Sequence, residues 1–217
     1  MFVGHYAPAA ALAGGRIKLW HAFVAVQFLD LLWAPFILLG IEKARVIESF
    51  TQANHLDLYY MPWTHSLVMA LAWSIGGGLV YAFLRKSAGL LGGLIIGILI
   101  FSHWATDYLM HVPDLALWPG GEKVGLGLWQ YGSLSLGLEV GLLTIGMVIY
   151  LAKTRAHNMI GTMMPLLLVA LLIGAQLYGH FGPVPANIET VAISGLTSYI
   201  IFIVLAAIVD RTRHASS

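Results

Sequence analysis

The chain has 217 residues, 59% of them hydrophobic and only 10% charged, with a formal charge of +1 and a mean hydropathy of +0.83. A soluble domain carries about 25% charged residues, so these proportions exclude one and assign the chain to a membrane. The near-neutral charge, with no basic stripe interleaved with aromatics, excludes nucleic acid as a partner. The lack of cysteine excludes disulfides, thiolate metal sites and cysteine nucleophiles, and leaves nine histidines as nitrogen ligands.

The first element, Phe2 to Ala13, is apolar but reaches only about 18 Å as a helix, too short to cross a bilayer. It lacks the basic start of a secretory signal and is expected to stay on the chain. Gly14-Gly15 break it before Arg16 and Lys18. Two placements are open: a half-membrane helix in a hairpin with the first span, or a helix lying flat at the interface. In the hairpin, His5 comes opposite Leu29 and Asp30.

Six longer apolar stretches follow, at 19–41, 65–84, 89–109, 133–151, 160–179 and 190–209. Each is long enough to cross a bilayer. They predict an all-α, polytopic bundle of about six transmembrane helices and one transmembrane domain over 1–217. Gly76-Gly77-Gly78 in the second stretch and Gly92-Gly93 with Gly97 in the third predict close helix packing. Arg16, Lys18, Arg85, Lys86, Lys153, Arg155, Arg211 and Arg213 fall on one side, against Lys43, Arg45 and Lys123 on the other. That bias makes the first side cytoplasmic, so both termini start there. Trp20, Trp33, Trp63, Trp118 and Trp129 lie mostly near the proposed span ends, as interfacial aromatics do.

Three acids remain inside spans: Asp30, Asp107 and Glu139. A charge there costs roughly 2.5–3.5 kcal/mol on insertion scales, so each needs a partner, a cavity or a metal. The third stretch is the densest. His103 and Asp107, four apart, share a helix face, His111 continues it, and Pro113 disfavours helix at Val112 and so sets the helix end near His111. His65 opens the second span on the same side, within Pro62-Trp63-Thr64-His65-Ser66. Glu139 is expected about 9 Å and Asp30 about 16 Å below that surface.

The His-x-x-x-Asp spacing lets an imidazole and a carboxylate approach one cation from adjacent turns, and zinc and other divalent ions accept such ligands. Taken singly, each residue has a structural explanation: helix pairing for Asp30, a protonated hydrogen-bond donor in Glu139, a ring among headgroups for His65. Together and at similar depth, His65, His103, Asp107 and Asp30 point to a metal or proton site. His21, His157 and His214 read as solvated or span-end residues of the cytoplasmic side. His55 with Asp57, and His180, read as outer-layer groups on the side of the site.

Gly4-His5 before an alanine-rich helix, Asp30 in the next helix, Thr64-His65-Ser66 and His103-x-x-x-Asp107, in that order, resemble the YdjM-type inner-membrane metal-dependent hydrolases, a bacterial family of multi-span proteins. The resemblance covers about the first half of the chain, through Asp114. It implies the bacterial inner membrane as location and His5, Asp30, His65, His103 and Asp107 as site residues. The chain departs from the family at the first acidic position: where members commonly carry Pro-Asp-x-Asp-His, it has Asp30 alone between Gln27 and Trp33. That departure puts a two-metal site in doubt and leaves the number of ions open, with His111 or Glu139 as replacements for the missing ligands.

Two functions follow. The first is a metal-dependent hydrolase of a lipid or other amphiphilic ester or phosphoester, reached from the periplasmic side among membrane lipids. His65, His103 and Asp107 would hold the ion, zinc before others, with Asp30 or Glu139 as general base. The alternative is a proton or divalent-cation transporter using the same buried groups, with His21, Gln27 and Gln176 among the few polar residues toward the cytoplasmic side. A b-type haem on His65 and His103 ranks below these, because it leaves the acids unexplained. A scaffold of satisfied polar pairs is the plainest reading.

Overall fold

The computed structural model describes residues 1–216; Ser217, the last residue of the predicted domain, lies outside them. A 3-10 turn, Val3–His5, leads into α1 (Tyr6–Leu12), followed by α2 (Leu19–Val26) and α3 (Phe28–Leu38). A hairpin of β1 (Lys43–Val46) and β2 (Leu56–Tyr60) precedes α4 (Leu67–Leu84) and α5 (Gly89–Met110). A smaller hairpin, β3 (Leu115–Ala116) with β4 (Lys123–Val124), leads to α6 (Gly132–Lys153). Then come β5 (Thr154–Ala156), α7 (Met159–Phe181), α8 (Ile188–Thr212) and β6 (Arg213–Ala215), with β5 and β6 paired. The last pair ties the ends of α6 and α8 together at the bundle end opposite the other two hairpins.

Five helices, α4 to α8, are each long and apolar enough to cross a membrane, and α2 with α3 make a sixth, bent by 49°. The chain is thus an all-α, multi-pass bundle, with element bounds within a few residues of those expected. Its exterior inverts that of a soluble protein: Ile75, Phe83, Leu90, Val148 and Val204 are exposed on the outer helix faces, as a hydrocarbon solvent requires. Inside, α4 and α5 approach until the backbone of Gly78 meets that of Gly93, where a Cβ on either would run into the other's carbonyl.

Two local features position the site. The short α1 does not lie flat: Val3, Tyr6, Ala9 and Ala10 are fully buried, and α1 folds back against α2 and α6. Gly146 of α6 admits this approach, because a side chain there would strike the backbone of Ala7. The second feature is the break at Gln27, which contains neither Pro nor Gly. With φ −101° and ψ 8°, Gln27 leaves the helical path. The Val26 carbonyl then accepts a hydrogen bond from His103 Nδ1 at 2.6 Å, a contact outside the helix ladder. The break also puts Asp30 in the first turn of α3, where the helix dipole favours a carboxylate.

Candidate metal centre

Six side chains from five segments meet in the half of the bundle nearest the β1–β2 hairpin. His5 comes from the 3-10 turn, Asp30 from α3, His65 from just before α4, His103 and Asp107 from α5, and His111 from the residue that ends α5. His5, His65, His103, Asp107 and His111 are at most 3% exposed. His111 has an extended backbone (φ −66°, ψ 145°), so α5 stops where Pro113 predicts. The loop then crosses back over the helix end, with Gly127 N–H donating to the His111 carbonyl at 2.7 Å.

Two carboxylates organise the cluster. Asp107 Oδ1 lies 3.2 Å from His5 Nε2 and 3.4 Å from His111 Nε2. Its Oδ2 lies 3.2 Å from His103 Nε2 and 3.6 Å from His65 Nε2. The Met1 nitrogen also donates to Oδ1. Asp30 Oδ1 lies 3.4 Å from His65 Nε2 and 3.6 Å from His103 Nε2, while its Oδ2 accepts from the Tyr199 hydroxyl at 2.9 Å. The buried His and Asp groups thus form two sets able to hold a metal ion, His5/His103/Asp107 and Asp30/His65/His103, the donor atoms of each lying within 4.8 Å of one another.

The other ring nitrogens fix how the imidazoles are used. His103 Nδ1 faces a carbonyl, so it carries the hydrogen. His65 Nδ1 is 2.7 Å from Thr64 Oγ1, and that hydroxyl donates to Glu42 Oε2 at 2.6 Å; the hydroxyl proton is spent, so the imidazole must donate. His5 Nδ1 stands in the same relation to Thr106 Oγ1 at 2.8 Å, whose proton goes to the Ser102 carbonyl. His111 Nδ1 donates to Asp114 Oδ1 at 2.8 Å. At His111, just past the helix end, burial opposes a charged ring, but Asp114 and Asp107 outweigh it and raise the pKa above its ordinary value.

In its neutral form each of the four rings therefore presents an Nε2 lone pair toward carboxylate oxygens. Acceptors facing acceptors at 3.2–3.6 Å repel unless a positive charge lies between them. Two of the nitrogens, on His5 and His103, are buried without a hydrogen-bond partner. Around a tetrahedral ion with bonds of about 2.0–2.1 Å, ligand atoms stand about 3.3 Å apart, so the observed separations fit a shared cation. Carboxylates and carbonyls that hold the far nitrogen are how metal-binding histidines are oriented.

The remaining expected residues divide. Glu139 lies beside the cluster, but its Oε2 accepts from the Phe2 and Gly4 backbone N–H at 2.7 and 3.2 Å, anchoring the turn that carries His5. His55 accepts from Ser49 N–H through Nδ1 at 2.8 Å, and Asp57 pairs with Arg45 at 2.7 Å. His21, far from the cluster, is held by Tyr81 and Arg85. Sequence reasoning passed over Glu42, Thr106, Asp114 and Tyr199 as partners of the cluster. Only Thr64 and Asp114 carried a signal, as neighbours of His65 and His111.

A cavity of about 380 Å³ adjoins the cluster. Asp30, His65, Asp107, His111 and Glu139 line it together with apolar groups such as Phe2, Trp33 and Trp129. It extends between the end of α7, at Gln176 and Gly179, and the start of α8, at Val191 and Gly195. No family model, no curated protein and no solved structure matches the chain.

Proposed function

We propose that the chain is a membrane-embedded, metal-dependent hydrolase acting on a lipid or another amphiphilic ester or phosphoester. The observation that carries this reading is the convergence of four tautomer-locked imidazoles on Asp30 and Asp107 at the wall of a half-apolar cavity. His65, His103, Asp107 and Asp30 would hold the ion, and a set of two imidazoles and two carboxylates suits zinc. Such an ion acidifies water and polarises a carbonyl or phosphoryl oxygen. Glu139, which lines the same cavity, receives the proton of the attacking water, its other oxygen fixed by the Phe2 and Gly4 amides. Phe2, Trp33 and Trp129 give an acyl or prenyl chain an apolar surface beside the reacting group. The basic-residue bias supports a periplasmic side for this half of the bundle, and the resemblance supports a bacterial inner membrane. The motif order shared with the YdjM-type family supports the same reading.

A transporter would need polar groups running on from the cluster to the far end of the bundle. Within two helical turns beyond His103 and Val26 the buried residues include Ile100, Ile96 and Phe23, which favours a dead-end site over a conduit. The test is hydrolysis of phospholipid and acyl-ester substrates by the purified chain in mixed micelles, before and after metal stripping. Activity should vanish with the chelator and return with zinc. Undiminished turnover by metal-free protein would overturn the assignment.

A further inference from the structure

We infer that the centre takes two divalent ions bridged by Asp107, one held with Asp30, His65 and His103 and the other with His5 and His111. This rests on the reading of the cluster as a metal centre, and settles on a number of ions that the sequence leaves open.

The first argument is the relation of His5 to His103. Their rings stack with centroids 3.7 Å apart and planes inclined by only 8°. An imidazole lone pair lies in the plane of its ring, so an ion bound along it lies in that plane too. Two nearly parallel planes at stacking distance share no point near both Nε2 atoms. His5 and His103 therefore cannot both bind one ion well, although their donor atoms are close enough to fall in one compact set with Asp107. Stacked rings pointing the same way instead offer two binding points side by side, and their 3.7 Å separation matches the roughly 3.5–4 Å between ions in two-metal sites.

The second argument is the division of Asp107. Oδ1 faces His5 and His111, and Oδ2 faces His65 and His103. This is the arrangement of a carboxylate that gives one oxygen to each of two ions. Four imidazoles, the two oxygens of Asp107 and Asp30 Oδ1 also exceed the four ligands that a zinc-like ion accepts. Each ring has only Nε2 to give, since every Nδ1 is engaged, so no histidine can be shared and the carboxylate is the bridge.

The third argument is the second position itself. His5 Nε2 is buried and has no hydrogen-bond partner, and it is aimed at Asp107 Oδ1. The acids at hand, Asp30, Glu42, Asp107, Asp114 and Glu139, would leave buried negative charge beside a single dication. The Met1 nitrogen, which now lies on Oδ1, gives up that contact when the second ion binds.

The experiment is elemental analysis of the full chain purified in detergent and dialysed against zinc, with electron paramagnetic resonance of the manganese-loaded form. Two equivalents per chain and an exchange-coupled manganese spectrum are expected for the natural protein. His5→Ala and His111→Ala should each retain one equivalent and give an uncoupled spectrum, with monodispersity on gel filtration checking the fold. The natural protein's spectrum needs no variant, so a His5→Ala chain that fails to fold leaves the test intact. One equivalent in the natural protein, unaffected by both substitutions and uncoupled, overturns the second ion while the hydrolase reading stands. No bound metal at all overturns both.

Discussion

The bundle has two polar clusters, one toward each end, and they differ in what their atoms are left to do. Toward the β5–β6 end, Asp210 accepts from the Leu19 and Trp20 backbone N–H at 3.0 Å each. His21 is fixed on both nitrogens, by the Tyr81 hydroxyl at 2.9 Å and by Arg85 at 3.0 Å. Arg16 donates to the Ala88 carbonyl. Each of these contacts joins one helix to another and is complete. Toward the β1–β2 end every Nδ1 of the cluster is engaged, yet the inner nitrogens of His5 and His103 have no hydrogen-bond partner. A cluster that only held the bundle together would look like the first; the second keeps donor atoms with which it could hold a metal ion.

That contrast can be broken by substitution, beginning with the largest effect. His103→Ala removes a ligand and its link to the Val26 carbonyl, and should lower turnover by about a thousandfold or more and abolish retention of the ion held with Asp30 and His65, read by hydrolysis and elemental analysis. Glu42→Ala touches no ligand atom, but it frees the Thr64 proton that now fixes the His65 tautomer. Loss of such an outer partner costs about 10- to 100-fold in metal affinity or activity, and a metal-competition titration measures it. Tyr199→Phe should cost less, about threefold to tenfold. The Asp30 side chain is 15% exposed, so water can replace the hydroxyl, whereas Glu42 is 1% exposed and water cannot. At the other end, Asp210→Ala removes the cap of α2 at a cost of about 1 kcal/mol. It should lower the apparent melting temperature by about 2–4 °C and leave metal content unchanged. A loss of metal in the Asp210 variant would mean that the two clusters are coupled through α2 and would dissolve the contrast.

The spans were legible because hydropathy over about 20 residues is a property of sequence alone. The pairing of α1 with α2 was legible in one of two placements, and α1 packs against α2 and α6 with Tyr6 and Ala10 buried. Membership of the cluster was legible for the same reason in every case: an ionisable group in an apolar run stands out, and α5 adds the four-residue spacing of His103, Asp107 and His111. The partners of those groups were not. Glu42 is an acid in a loop and reads as solvated, and only the β1–β2 hairpin, closing 22 residues later on Thr64, brings it under His65. Tyr199 is one apolar-looking residue in α8, 169 positions from Asp30. Glu139 was visible as a buried acid, but its hold on the Phe2 and Gly4 amides depends on how α1 enters the bundle. His21 likewise read as a solvated or span-end residue, and it is a link between α2 and the α4–α5 turn.

The break at Gln27 has a consequence for engineering this protein. The atom that orients His103 is a main-chain oxygen, so no side-chain exchange at position 26 deletes it, and Val26→Ala or Val26→Leu should be silent for the ring. A change of register is another matter. One residue inserted between Val26 and Asp30 would turn the acid by about 100° around α3 and carry the carbonyl away from His103, disarming two ligands at once. The centre is thus tolerant of composition and intolerant of length at this point, and variation among natural or designed versions of the chain should follow that rule.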